Sequence, residues 1–232
     1  MACVYKPLHP CLDRLKEAHW FIHQMEEQYH FAERFRYSLN AYIRSLKEVR
    51  TMFQQGMQNV EGFKEWYADH KKALDEDPLL SKLGKKRDYL VHHGMLDAKS
   101  NAGCGIARGA IVKLAMSWDV HPNEDSDEAM KSFARASIHA GDQFGFFNTD
   151  DTTRPCVERE WVMTDISDDN ILDVAWAAWM TNARVISEAC TWQGGEELDL
   201  TLPCRHDSKR IKLKTYDRDE MISYATMSME GV

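Results

Sequence analysis

Phe35, Leu39, Tyr42, Leu46, Val49 and Phe53 recur at spacings of three and four, with Arg36, Arg44, Lys47 and Glu48 between them. That is the period of an α-helix with one face turned to a core, and no strand can place such a set on one side, because strand side chains alternate with period two. Gln54-Gln55-Gly56 is the expected end of this helix, with Gly56 as its C-terminal stop. A long one-striped helix must bury its stripe against neighbours, and the chain supplies them. Leu12, Leu15, Ala18, Ile22 and Met25 mark a helix over 12–28, with a break expected near Glu27 to Phe31. Phe63, Trp66 and Tyr67 lead a third over 60–74, stopped before Asp75-Glu76-Asp77-Pro78, and a fourth runs from Leu79 to His93, closed by Gly94. The last strong helix covers 169–192, capped by Ser167 or Asp168 and ended by Gly194-Gly195. Ile171, Leu172, Ala175, Trp176, Trp179, Val185 and Ile186 give it a broad apolar face.

From Ser100 the pattern changes. Ala110, Val112, Leu114, Met116 and Trp118 alternate with Gly109, Lys113, Ala115 and Ser117 and predict a strand, although Ile111 blurs its polar face. Residues 158–166 predict a second strand, and 130–140 fit helix and strand equally. Ile211 and Leu213, alternating with Lys212 and Lys214, predict an edge strand in the tail. The expected fold is therefore mainly α: an up-and-down helix bundle over 12–97 plus 169–192, a β-containing insertion over 100–166 before the last long helix, and a C-terminal extension over 196–232.

The 232 residues carry a formal net charge of −8, which argues against a protein that coats nucleic acid, since phosphate neutralisation dominates such binding. Local basic stretches remain: Lys82, Lys85, Lys86 and Arg87, and then Arg205, Lys209, Arg210, Lys212 and Lys214, the second of which reads equally well as solvated surface. No run approaches the ~18 apolar residues of a membrane span. The opening Met1 to Pro7 lacks a basic start followed by an apolar core, so no membrane and a cytoplasmic location are expected. Cys3, Cys11, Cys104, Cys156, Cys190 and Cys204 form no C-x-x-C pair and read as small core residues.

One constellation carries chemistry. On the fourth helix Asp88 and His92 stand four residues apart, about 40° from each other on one face, with Arg87 beside them. A carboxylate can fix a histidine's tautomer, and a guanidinium can grip a phosphate bidentately. Together they suffice for a metal-free attack by an RNA 2′-hydroxyl on its own phosphate, with His92 as general base or acid, Arg87 on the phosphate and Asp88 orienting His92. His93 lies about 100° away and is the second choice. Taken alone, the spacing describes a surface ion pair better than a catalytic site, and it is the surrounding pattern that raises it.

The segments Phe63-Lys64-Glu65-Trp66-Tyr67, Asp77-Pro78-Leu79-Leu80 and Arg87-Asp88-Tyr89-Leu90-Val91-His92-His93-Gly94 resemble bacterial HEPN proteins (higher eukaryotes and prokaryotes nucleotide-binding). The stretch from Phe35 to Val49 resembles the second helix of that family. The resemblance covers about 12–97 and the helix at 169–192. It implies a HEPN-like bundle, a homodimer whose motif helices meet in a cleft, and a metal-independent endoribonuclease with Arg87, Asp88, His92 and His93 as catalytic candidates. It further implies a toxin or defence effector with RNA as substrate, an antitoxin or other protein as partner, and no cofactor. The family also includes members without catalysis, so a dimeric scaffold binding a partner protein or a nucleotide is the second expectation.

Other constellations are weaker. His19 and His23, with Glu27 and His30, lack the second E-x-x-H that a di-metal bundle site requires, so no metal is expected. Trp161, Trp176, Trp179 and Trp192 read as packing rather than a stacking platform. Gly103, Gly105 and Gly109 are followed by no G-K-S/T and make no phosphate loop.

Overall fold

The computed structural model describes residues 5–92, 98–109, 111–142, 152–200 and 208–227. After a 3-10 turn at Lys6–Leu8 come helices α1 (His9–Glu27), α2 (Ala32–Met57), α3 (Phe63–Glu76) and α4 (Pro78–His92). Strands β1 (Lys99–Arg108) and β2 (Ile111–Val120) precede α5 (Ser126–His139), β3 (Arg154–Met163), β4 (Ser167–Asn170) and α6 (Ile171–Trp192). The chain ends with α7 (Ser208–Lys212), β5 (Leu213–Thr215) and α8 (Arg218–Met227). Two compact units are built from these: the first from 1–27, 36–96 and 163–206, the second from 28–35, 97–162 and 207–232.

In the first unit the helical stripes become the core. Leu15, Ala18, Ile22 and Met25 of α1 are buried, as are Leu39, Tyr42, Ile43, Leu46, Val49 and Phe53 of α2. Helix α1 packs on α6, and α4 packs on α3 and α6. Two buried polar groups are tied across the packing: Tyr42 Oη donates to the Ala175 carbonyl at 2.5 Å, and Trp179 Nε1 donates to that of Leu15 at 2.8 Å. Helix α2 ends at Met57, one residue beyond the expected Gly56. A Cβ at Gly56 would lie 2.1 Å from the Pro7 carbonyl oxygen, so the residue is there to let the 3-10 turn approach. The cap of α6 is Asn170 rather than Ser167 or Asp168: its side chain accepts from the Leu172 N–H at 2.9 Å, while Ser167 and Asp168 belong to β4.

The sheet overturns the mainly α expectation. The fold is mixed α/β, mostly helical, with a five-stranded antiparallel sheet in the order β2-β1-β3-β4 and β5 on β3. Strand β1 pairs antiparallel with β2 from Ser100↔Val120 to Arg108↔Ile111, and with β3 from Lys99↔Val162 to Ala107↔Arg154. Its sequence, KSNAGCGIAR, holds one β-branched residue and no aromatic one, so it carries no strand signal of its own. Tertiary context makes it a strand: two neighbours satisfy its backbone, and small side chains let it be crowded. A Cβ at Gly105 would sit 2.1 Å from the Lys113 carbonyl oxygen, beside the register shift at Cys104/Gly105. Of the stretch 130–140, ambiguous by pattern, 130–139 belong to α5, which buries Ala129, Met130, Phe133, Ala134 and Ser137. Helices α5 and α8 pack together, and α5 lies on β1. Ala102, Cys104, Val120, Val157, Met221 and Ala225 close the core around them.

Candidate functional site

Helix α4 begins with a local device. Asp77 ends α3, its N–H bonding back to Ala73, and its carboxylate accepts from the Leu80 N–H at 2.9 Å, with Pro78 between them. The first turns of α4, at Leu80, Leu83 and Gly84, wall a cavity of about 30 Å³ with Ile43, Leu46 and Asn182. It has room for a water, and the buried Asn182 Oδ1 beside it has no hydrogen-bond partner.

Further along α4 the basic stretch is engaged with its neighbours. Lys82 Nζ donates to the Ile166 carbonyl at 2.7 Å, Lys86 pairs with Asp165, and Lys85 is exposed. Arg87 Nη1 reaches Asp88 Oδ1 at 3.1 Å, and the Asp88 side chain is 62% exposed. Thus Arg87 and Asp88 are brought together as an exposed ion pair. His92 ends the helix, one turn after Asp88; its side chain, and the whole of His93, lie outside the described residues.

Two features of the second unit were not singled out from sequence. The first is β2, which lies at one end of the strand order. Ile111 is 73% exposed, Met116 45%, Leu114 39% and Val112 36%, while only Val120 at the far end is buried. The period-two alternation did locate this strand, but alternation cannot tell a strand with one buried face from one accessible on both.

The second is Arg159. On β3, Val157, Arg159 and Trp161 share the core face, opposite Cys104, Ala102 and Ser100 of β1. Arg159 has no exposed surface at all, and none of its Nε, Nη1 and Nη2 atoms has a hydrogen-bond partner. Its Cζ lies 4.5 Å from the centre of the Trp161 ring, which donates through Nε1 to the Tyr29 carbonyl and stacks on Phe35. An unpaired buried ion costs several kcal/mol, and burial holds this guanidinium down at a pKa of about 10, against the opposing pull of Glu124, Tyr29, Asp125 and Tyr216.

Nearby polar groups are tied up among themselves. His30 joins Ser126 Oγ through Nδ1 and the Ile211 carbonyl through Nε2, both at 2.9 Å. Burial, seconded by Lys214 and Arg159, pushes its pKa down to about 4. Lys214 Nζ and Tyr216 Oη both donate to Asp127 Oδ1, at 2.5 and 2.8 Å. Burial would raise the Asp127 carboxyl, but these two donors outweigh it and hold it below its ordinary value. Asp125 Oδ1 accepts from the Ala32 N–H. The sequence signal that could have found Arg159 is a charge at an inward position of a predicted strand, between Val157 and Trp161.

The constellations given less weight are packed. His23 bonds to Glu26, and the His19 ring meets Trp176 and Trp179. Trp66 stacks on Trp192 and on His70, whose Nε2 reaches Glu188 at 2.8 Å. Among the described residues no helix is long and apolar enough to cross a membrane.

Comparison with known proteins corrects the resemblance on which the α4 motif leaned. No HEPN family is detected, and the family that matches spans nearly the whole chain, including the 12–97 stretch that carried the likeness. Amphipathic helices joined by short turns recur in unrelated bundles, so their likeness is weak evidence of kinship. No curated protein and no solved structure matches. Matched over residues 4–215, the chain belongs to the family of bacteriophage lambda protein ea47.

Proposed function

We propose that this chain is a non-catalytic binding protein that works as a dimer, two copies joining antiparallel along the free edge of β2. The observation that carries this reading is the exposed apolar run of β2. A strand of ten residues with Ile111, Val112, Leu114 and Met116 accessible is a template for another strand. Natural edges are normally blunted by charge, proline or brevity, and between Ile111 and Ser117 only Lys113 is charged. A second copy is the occupant best suited to it. Antiparallel pairing of a strand with itself is what a two-fold axis produces, and it sets the Lys113 end of one strand beside the Asp119 end of the other. The test is the mass in solution, by sedimentation equilibrium, of the parent chain and of Ile111→Lys with Met116→Lys: a dimer is expected for the parent and a monomer with an unchanged circular dichroism spectrum for the variant. A parent that stays monomeric throughout the micromolar range sinks the reading.

A second reading, metal-independent cleavage of RNA by Arg87, Asp88 and His92 in a toxin or defence role, is favoured by the exposed Arg87–Asp88 pair one turn before His92. RNA incubated with the protein in EDTA separates the two. Cleavage that disappears in His92→Ala supports catalysis; intact RNA, or equal cleavage by both proteins, removes His92 from any mechanism.

A further inference from the structure

Between the end of α2 and α3 the first unit carries a groove of about 590 Å³, within the range of sites that take a small organic molecule. Helical spacing sets its α3 side. Phe63 and Tyr67 stand one turn apart and Lys64 and Lys71 two turns apart, so rings and ammonium groups run along the helix in two rows. Gln54, in the last turn of α2, and Gln58, just beyond it, supply amides on the other side. Tyr67 is the fixed point. It is only 5% exposed, stacked on Phe63 with ring centres 5.1 Å apart and met edge-on by Phe53 at 5.2 Å. Its hydroxyl oxygen accepts from Gln54 Nε2 at 3.2 Å, while its own proton has no acceptor among the described residues. A buried phenol ordinarily gives that proton to an acceptor.

The groove's charge is opposite to that of the chain. Two lysines and no carboxylate line it, although the net charge is −8. Lys71 is paired with Asp75 at 2.6 Å, but Lys64 makes no ion pair among the described residues. Lys64 and Tyr67 are three residues apart on α3 and so neighbours on its surface. From this we infer that the groove binds a small amphipathic organic anion, its carboxylate accepting from the Tyr67 hydroxyl and the Lys64 ammonium. Its apolar body would lie against Ala68, the rim of the Phe63 ring and the lysine stems. One unpaired ammonium balances a single negative charge, and the guanidinium fork that suits a phosphate is missing from the lining. Both helices belong to the first unit, whereas β2 belongs to the second.

Titration of the full chain with anilinonaphthalene sulfonate, an aromatic monoanion, is expected to show saturable fluorescence enhancement, with one equivalent bound by calorimetry. Phenylnaphthylamine, the same ring skeleton without the charge, should bind about tenfold more weakly, the order of one charge-assisted hydrogen bond. Tyr67→Phe keeps the ring packing and loses the proton, and should weaken the sulfonate by a similar factor. Lys64→Glu reverses a charge and Ala68→Trp fills the groove, both at exposed positions. Each should abolish saturation at an unchanged circular dichroism spectrum. The Ile111→Lys, Met116→Lys variant should bind the probe as the parent does. Displacement by naphthoate would identify an aromatic carboxylate as the natural guest, and displacement by decanoate an aliphatic one; displacement by neither overturns the carboxylate assignment. Absence of saturable binding to the parent overturns the proposal whether or not the variants fold, as does phenylnaphthylamine binding as tightly as the sulfonate. Unchanged binding in Lys64→Glu and Ala68→Trp, or its loss in the β2 variant, would put the probe elsewhere and sink the groove as its site.

Discussion

His30 illustrates how burial writes a pH dependence into single residues. Its folded pKa is about 4 against an ordinary 6.5, with burial the main cause. Between those values the unfolded chain takes up a proton that the folded chain refuses, so stability is complete above about pH 6.5 and falls as the pH drops towards 4. The loss is of order 3 kcal/mol for the whole shift. Urea midpoints measured at pH 7 and pH 4.5 should show this fall, and His30→Gln should flatten it in that window. Asp127 adds a second, more acidic loss: its carboxyl is held below the ordinary value, so its contribution is present above about pH 4 and disappears as the pH falls further. Arg159 acts in the opposite sense. It is a buried ion without a hydrogen-bond partner, and Arg159→Met, similar in length and apolar, should be at least as stable as the parent by urea denaturation. A clear loss of stability in that variant would mean that the guanidinium has a partner within the chain.

Elements whose character is local were legible, and elements whose character is borrowed were not. Helices α1, α2, α3, α4 and α6 carry their stripes in the sequence, and the α3–α4 junction carries its stop and start in Asp77-Pro78. Asp77→Ala removes the carboxylate that accepts from Leu80 and should cost about 1 kcal/mol, read as a shift of the urea midpoint at unchanged slope. Strand β1 was not legible, because glycine, alanine and cysteine become strand only when β2 and β3 flank them. The cap of α6 was misjudged by two or three residues for a related reason. Serine, aspartate and asparagine at 167–170 are all good caps, and the short strand β4 decides which of them stands at the boundary. The exposed pair on α4 was legible as a spacing, whereas the buried charge on β3 needed the sheet to give its face a direction.

At the scale of the molecule, charge and edge pull against each other. Two copies each carrying −8 would repel one another, and in the proposed dimer this would outweigh the attraction between the Lys113 and Asp119 ends of the two β2 strands. Salt screens the repulsion while leaving apolar contact intact, so the dimer should tighten as sodium chloride rises from about 0.05 to 0.5 M, a range over which the Debye length shrinks several-fold. Sedimentation equilibrium across that series would show it; a dimer that loosens with salt would point to an interface built on ion pairs instead of the β2 edge.

Composition and periodicity by themselves determined where the long helices run, since an amphipathic stripe is a property of neighbouring residues. They also limited the chain to partners that an acidic surface tolerates. Only the tertiary structure decided that a five-stranded sheet forms, that β2 lies at its margin and that Arg159 faces inward. Those outcomes depend on which strand hydrogen-bonds to which, and pairing between distant segments leaves no fixed trace in the order of residues.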